Sequence, residues 1–439
     1  EQTGLVMEHA VNRDLKFQAR VYGGNRSNLQ YQAATVTNPT GAWTGLTRQF
    51  EGMGLQANGK AHVWNGQRMN WVVGTDIDHA QEQRQAGNAA VGEKTDTTRN
   101  ELNEASNRDF YAQANWSLGE RYTLTTGARQ SQVTLKSRDD VPISGTHPDN
   151  GSGSVNYTAT SPVLGLTWHA QDNLNIYINQ GKGFETPTMA EAAYTLLAPS
   201  TIKGQFNPNL LASRSKHLEL GTKWRPSANT RVDAAWFQIK TDDEIVTVRS
   251  SGGKTAYANA SQTSRDGFEL ALRHQYDSHW RGHVSATFMN ATYAQGFSNF
   301  VNGTTNNVSA GNSLPAIPKR QLLTSLQWSE KGFSTAGQKP SLGLEASLEL
   351  ISRSSMWAND TNSTTANDYA LAPGYAQLNT RVRQRYQVGP ARVEVSVGVD
   401  NLTNKEAISS VIVNQSSKQY FEPGLPRAWI VGVQSQIPL

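Results

Sequence analysis

Cysteine is absent from all 439 residues, which removes disulfide scaffolds, thiolate metal centres and cysteine nucleophiles together. Long apolar runs are missing too: no window approaches the roughly 18 residues a membrane-spanning helix requires, and the mean hydropathy is −0.57. Neither sign of charge dominates. The 40 Lys and Arg against 36 Asp and Glu leave a net charge of +4 with no basic run, so no nucleic-acid partner is expected. Apolar residues reach only 37%, under the roughly 45–50% of a soluble domain. Rings, by contrast, are plentiful. With 11 Trp, 14 Tyr and 12 Phe the chain is no disordered tail. Nothing resembling a basic n-region or an apolar signal segment opens the chain at Glu1, so any targeting signal is expected upstream.

What is present is strict alternation over long stretches. Leu342, Leu344, Ala346, Leu348 and Leu350 alternate with Gly343, Glu345, Ser347 and Glu349, and Val393, Val395, Val397 and Val399 with Arg392, Glu394, Ser396 and Gly398. One face of each strand is therefore apolar and the other carries ionised groups. Short turns near Leu118-Gly119-Glu120, Gln171-Asp172-Asn173, Pro226-Ser227-Ala228-Asn229 and Val388-Gly389-Pro390 alternate with long polar segments, at roughly 24–46, 87–107, 139–154, 185–212, 245–256, 296–316, 354–370 and 404–424. Eight long loops predict about 16 strands. Rings precede many of the short turns, at Trp116, Trp168, Trp224, Trp328 and Tyr386. A membrane interface selects such a girdle of amphipathic rings, whereas a soluble propeller or tandem sandwich has no cause to align them. The expected fold is all-β, a transmembrane antiparallel β-barrel with lipid outside and a wet lumen inside.

Three segments carry more than generic barrel character: Gly181-Lys182-Gly183-Phe184-Glu185-Thr186-Pro187-Thr188, Asn259-Ala260-Ser261 through Gly267-Phe268-Glu269-Leu270, and Val399-Asp400-Asn401-Leu402-Thr403-Asn404 with Glu422-Pro423-Gly424-Leu425-Pro426-Arg427. Pro187 stops a ladder for want of an N–H, and the Asn and Asp side chains close Asx turns at a strand end. With Trp224-Arg225-Pro226, Thr241-Asp242-Asp243-Glu244-Ile245 and Leu314-Pro315-Ala316-Ile317-Pro318, in this order and spacing, the sequence resembles the TonB-dependent outer-membrane receptors of the ferric-siderophore class along essentially its whole length. That resemblance implies a 22-stranded barrel filled by an N-terminal plug, in the outer membrane of a Gram-negative bacterium. It implies import of a ferric siderophore with energy from TonB, no bond broken, no covalently bound cofactor, a monomer, and contacts with lipid and lipopolysaccharide. Residues 1–439 are then expected to be the barrel domain, with the plug, the TonB box and roughly six strands outside this chain. The end at Pro438-Leu439 departs from the aromatic terminus usual for such barrels.

No catalytic or metal site is expected. Of nine His residues only His279 and His283 fall at a metal-like spacing, and they straddle a turn. There is no Gly-x-Ser-x-Gly elbow. Asp242, Asp243 and Glu244 read as a solvated strand end, and the Asn290, Asn401 and Asn414 sequons as the Asn and Thr bias of loops. Ligand contact is expected from loop rings and cations able to stack on and pair with an anionic iron chelate: Tyr22, Arg26 and Tyr31 in the first loop, Arg353, Trp357 and Tyr369 late in the chain, and Tyr420 with Phe421 in the last loop. The rival readings are a passive 16-stranded diffusion porin, and an adhesin or outer-membrane hydrolase on the same barrel.

Overall fold

The structure, a computed structural model, describes residues 1–33, 40–63, 66–142, 151–197, 201–251, 253–301, 304–334 and 341–437. Trp64, Pro438 and Leu439 lie outside that set. The described residues contain strands and no α-helix. Eighteen strands form one antiparallel sheet, paired neighbour to neighbour from Gln2–Ala10 against Leu15–Ala33 through to Ala391–Asp400 against Ala428–Gln436. Glu93–Lys94 is a two-residue stub, so seventeen of the 18 build the wall. That is one more than the loops predicted. The additional strand is Gln2–Ala10, which turns at Val11-Asn12-Arg13-Asp14, a turn with no glycine or proline to mark it. Five two-stranded ribbons lie within the long connections.

Alternation is realised as expected. Val21, Leu55, Phe110, Leu164, Leu220, Leu326 and Leu348 stand exposed on the outer face, and ionised side chains line the inner one. Next to the short turns the outward rings pair across strands, Tyr122 with Trp168 and Trp280 with Trp328, with Trp224 and Tyr386 also exposed. A second ring row, which the sequence reading missed, bounds the apolar band at its other end. Trp236, Phe268 and Phe288 are direct cross-strand neighbours, followed by Arg320. Two residues further along the same face stand Gln238, Asp266 and Asn290, where the outer surface becomes polar. Two ring rows enclosing an apolar zone are what a bilayer with two interfaces demands.

Several segments expected to be loops are strands. Thr40–Val63 and Gln67–Ala90 are each 24 residues long, about 80 Å at ~3.3 Å per residue, where a tilted strand needs far less to cross ~25 Å of hydrocarbon. Leu15–Ala33 and Thr230–Ser251 likewise run through segments 24–46 and 245–256. Polarity marked these segments as loops. Beyond the apolar band, however, both faces of a hairpin can be polar while its backbone groups still pair across the ladder. Tyr22, Arg26 and Tyr31 therefore sit on a strand and not in a loop.

Inner-face glycines let side chains reach across a whole strand. In register, Arg20, Gly54 and Asp76 lie side by side on three consecutive strands, as do Tyr22, Gly52 and Asp78. Arg20 Nη2 donates to Asp76 Oδ1 at 2.9 Å over Gly54, and the Tyr22 hydroxyl donates to Asp78 over Gly52. The same device recurs where Tyr111 donates to Gln56 Oε1 at 2.9 Å over Gly74. A Cβ on Gly54 would stand 2.5 Å from Asp76 Oδ1 and 2.7 Å from Arg20 Nε. Gly54→Val in the intact protein is accordingly expected to part Arg20 from Asp76 and lower barrel stability by about 1–3 kcal/mol. A guanidinium unfolding midpoint equal to wild type would refute this account of the glycine.

Candidate functional site

Inside the wall many of the charges are paired. One seam runs from Arg20 and Asp76 through Asp78, Asn107 and Asp109 to Arg129: Asn107 donates to Asp109 Oδ2 at 2.6 Å, and Arg129 closes an ion pair with the same carboxylate. Across the lumen Arg385 donates to Glu345 at 2.5 Å and to Glu394 at 2.6 Å, and Asn379 donates to Glu349 at 3.1 Å. Nearer the long loops Arg48 Nε meets Glu82 at 2.8 Å, and Arg265 Nη1 meets Glu244 at 2.8 Å. Glu244 is thereby not a solvated strand end. Asp243 beside it takes a φ of 55°, and that local kink turns Glu244 towards Thr263 and Arg265. His279 Nδ1 lies 2.8 Å from the Ser329 carbonyl oxygen, and among the described residues no three His, Asp or Glu side chains form a metal-holding group.

The buried apolar clusters lie at the long-loop end rather than within the lipid-facing band. One gathers Val246, Val248, Ala256, Ala291, Tyr293 and Leu314 from two hairpins and the 294–319 connection. A second joins Leu135, Tyr157, Ala192 and Phe206, and a third Ala358, Ala370 and Tyr420. Polar bonds tie them into a crown. The Tyr293 hydroxyl donates to Asp360 Oδ1 at 2.6 Å, and Asn414 Nδ2 reaches both Asp360 Oδ2 and the Thr247 carbonyl at 2.6 Å. Asn259 clamps Leu211, accepting from its N–H at 2.8 Å and donating to its carbonyl at 2.9 Å. The three motifs act here as loop anchors. Pro187 is fully buried. Asn401, 1% exposed at a φ of 54°, accepts from Lys405 N at 2.7 Å and donates to the Lys405 and Leu425 carbonyls, so it closes a loop four residues on in place of the Asx turn expected at that strand end.

The eight expected ligand residues do not converge. Tyr22 and Arg26 share the inner face of Leu15–Ala33, with Arg26 beside Arg48 in register. Tyr31 belongs to the opposite face, with Val21 and Leu29. Arg353 is a strut: its guanidinium donates to Met356 Sδ at 2.6 Å and to the Ile408 carbonyl, and lies 4.9 Å from the Tyr375 ring centroid. Trp357 faces a groove on the outer wall. Tyr369 is exposed on a small ribbon, whereas Tyr420 is buried and donates to Asp368 Oδ1 at 2.6 Å. Burial, aided by that carboxylate, pushes the Tyr420 phenol above its usual range. Sequence reasoning passed over Arg249. It is 8% exposed in the crown, opposite Ala256 and next to the Ser250–Gln415 bridge, with Nε and Nη1 buried and without a hydrogen-bond partner among the described residues.

A family model described as TonB dependent receptor-like, beta-barrel, matches residues 2–402. Among solved structures, the unliganded ferric citrate transporter FecA is similar at a TM-score of 0.75 and 15% identity, over 99% of this chain and 61% of that one. BauA, the ferric preacinetobactin receptor from Acinetobacter baumannii, gives 0.70 and 17% over 99% and 62%. The copper transporter OprC gives 0.74 and 16% over 99% and 65%. This chain thus spans less than two thirds of each neighbour's length.

Asp360 joins three connections of the crown, and its loss leaves Tyr293 and Asn414 with unmet groups in a buried site. Asp360→Ala is expected to loosen the crown while the wall stays folded, so that limited proteolysis on intact cells cuts within 354–374 or 401–427 several-fold faster. Cleavage at the wild-type rate would show that the crown is held by its apolar clusters alone.

Proposed function

We propose, because this chain belongs to the TonB-dependent receptor-like β-barrel family, that it forms the wall and outer mouth of an outer-membrane importer for an anionic ferric chelate of the siderophore class. The protein is then a transporter and not an enzyme, and its cargo is a ligand carried through rather than a resident cofactor. Arg249 is the observation that carries the anionic cargo. A buried guanidinium with two unpaired nitrogens costs several kcal/mol unless a counter-charge arrives, and an anionic chelate entering the crown supplies one. Arg26 on the inner face and the exposed Tyr369 extend the same reading. Moving a tightly held solute inward requires energy. That step is assigned to TonB acting through a segment outside this chain, with the plug outside it as well. Similar folds that carry ferric citrate, ferric preacinetobactin or copper support metal capture as the common task. A passive porin fits less well, because its mouth needs no such packed crown.

The test is radioiron uptake by an iron-starved strain carrying the full-length protein, offered a panel of ferric hydroxamates, catecholates and carboxylates. One chelate is expected to support TonB-dependent uptake, and Arg249→Met to weaken its binding about tenfold with the barrel still heat-modifiable in gels. Uptake indifferent to TonB, or diffusion of sugars into liposomes at porin rates, would overturn the proposal.

A further inference from the structure

The outer wall carries a site that lumen transport does not use. Trp236, Phe268 and Phe288 form a continuous outward row at the long-loop edge of the apolar band, and the next strand adds Arg320 in register with Phe288. Lys319 precedes Arg320, and Trp357 leans over from the 354–374 connection. Together these six line a groove of about 720 Å³. Lys319 and Arg320 are both exposed. Asp266 is the single carboxylate in the lining. It lies two strands from Arg320, about 10 Å away at ~4.8 Å per strand, above Phe268 rather than beside the cations.

Height decides what such a groove can hold. The ring row lies where hydrocarbon gives way to headgroups, and the cations stand at that boundary on one flank. Rings at this depth pack against acyl chains, and Lys or Arg at an interface attracts anionic headgroups. Arg presents a planar fork matched to phosphate, with Lys adding a point charge beside it. The row directly above the rings is neutral or acidic, at Gln238, Asp266 and Asn290, and the outward lysines Lys240, Lys216 and Lys182, in register on adjacent strands, lie outside the groove lining. Lys319 and Arg320 are the cations of the groove lining itself.

We propose that this groove is a binding site for one anionic lipid of the leaflet on the long-loop side, its acyl chains on Trp236, Phe268 and Phe288 and its phosphate on Lys319 and Arg320. The bound lipid also braces Trp357, and through it the 354–374 connection: the Trp357 carbonyl accepts from Ala316 N at 2.8 Å. The proposal goes beyond import and stands whatever the lumen carries.

The full-length receptor in nanodiscs of phosphatidylcholine, with or without a diphosphorylated lipid A, provides the test, read by native mass spectrometry after release into detergent. Wild type is expected to retain one lipid A in preference to phosphatidylcholine. Lys319→Gln with Arg320→Gln is expected to weaken retention about tenfold, and the charge-preserving Lys319→Arg with Arg320→Lys to restore most of it. Heat-modifiable migration in gels confirms that each variant is folded. Equal retention of zwitterionic and anionic lipid, or no change in the Gln pair, would overturn the site. Displacement of the lipid by millimolar inorganic phosphate would also overturn it, by showing an anion site in which the acyl chains play no part.

Discussion

Backbone pairing is the constraint on which the rest depends. In hydrocarbon an unpaired N–H or C=O has no water to turn to and costs several kcal/mol, so every strand crossing the apolar band must lie between neighbours. Among the described residues the sequence-ordered meander, every wall strand but the first and last laddered to the one before and the one after, is the simplest solution. Once it is adopted, the two-residue period leaves one face for lipid and one for the lumen. The apolar fraction of 37% then ceases to be a deficit, because only the outer half of each crossing must be apolar.

That sorting inverts the usual position of the core. A soluble domain buries its apolar residues in the middle, whereas here the middle holds ion pairs such as Arg385 with Glu345 and Glu394. The buried apolar clusters sit in the crown. Lipid takes over the task of covering Leu164 and Leu348, while the long connections, standing in water, must make their own interior. They do so in a mixed manner, with small apolar residues such as Ala256, Ala358 and Ala370 packed around hydroxyl, amide and carboxylate groups that satisfy one another. Buried polar networks of this kind fix one arrangement, since each unmade bond leaves a stranded group.

What could be read from sequence follows the range of each interaction. Alternation is local, so Leu342 to Leu350 and Val393 to Val399 were legible as strands with an apolar face, and Trp168, Trp224 and Trp328 were recognisable because a turn follows each. The second ring row was invisible. Trp236, Phe268 and Phe288 are far apart in the chain and become neighbours only through register. Loop limits failed where polarity was taken for irregularity, as in Thr40–Val63. Residue type is what marks a candidate ligand residue in a sequence, and type says nothing of facing: Tyr31 points away from Tyr22 because they are nine positions apart, and an odd interval changes sides. Tyr420 and Arg353 are a ring and a cation of the expected kind, but Asp368 and the Ile408 carbonyl already engage them. Arg249 carries no local signal, since its significance is a missing partner that only the packed crown shows.

Wall and crown therefore answer to different physics. In the wall a substitution is judged by ladder, period and the space over a glycine, and the penalties fall on stability. The crown is held by a few long-range contacts, so changes there alter the shape and charge of the mouth while the ladder beneath persists. A rigid wall allows the crown to vary its cargo chemistry without refolding the pore. This separation explains how chains only 15–17% identical share one fold while differing in what their names say they carry.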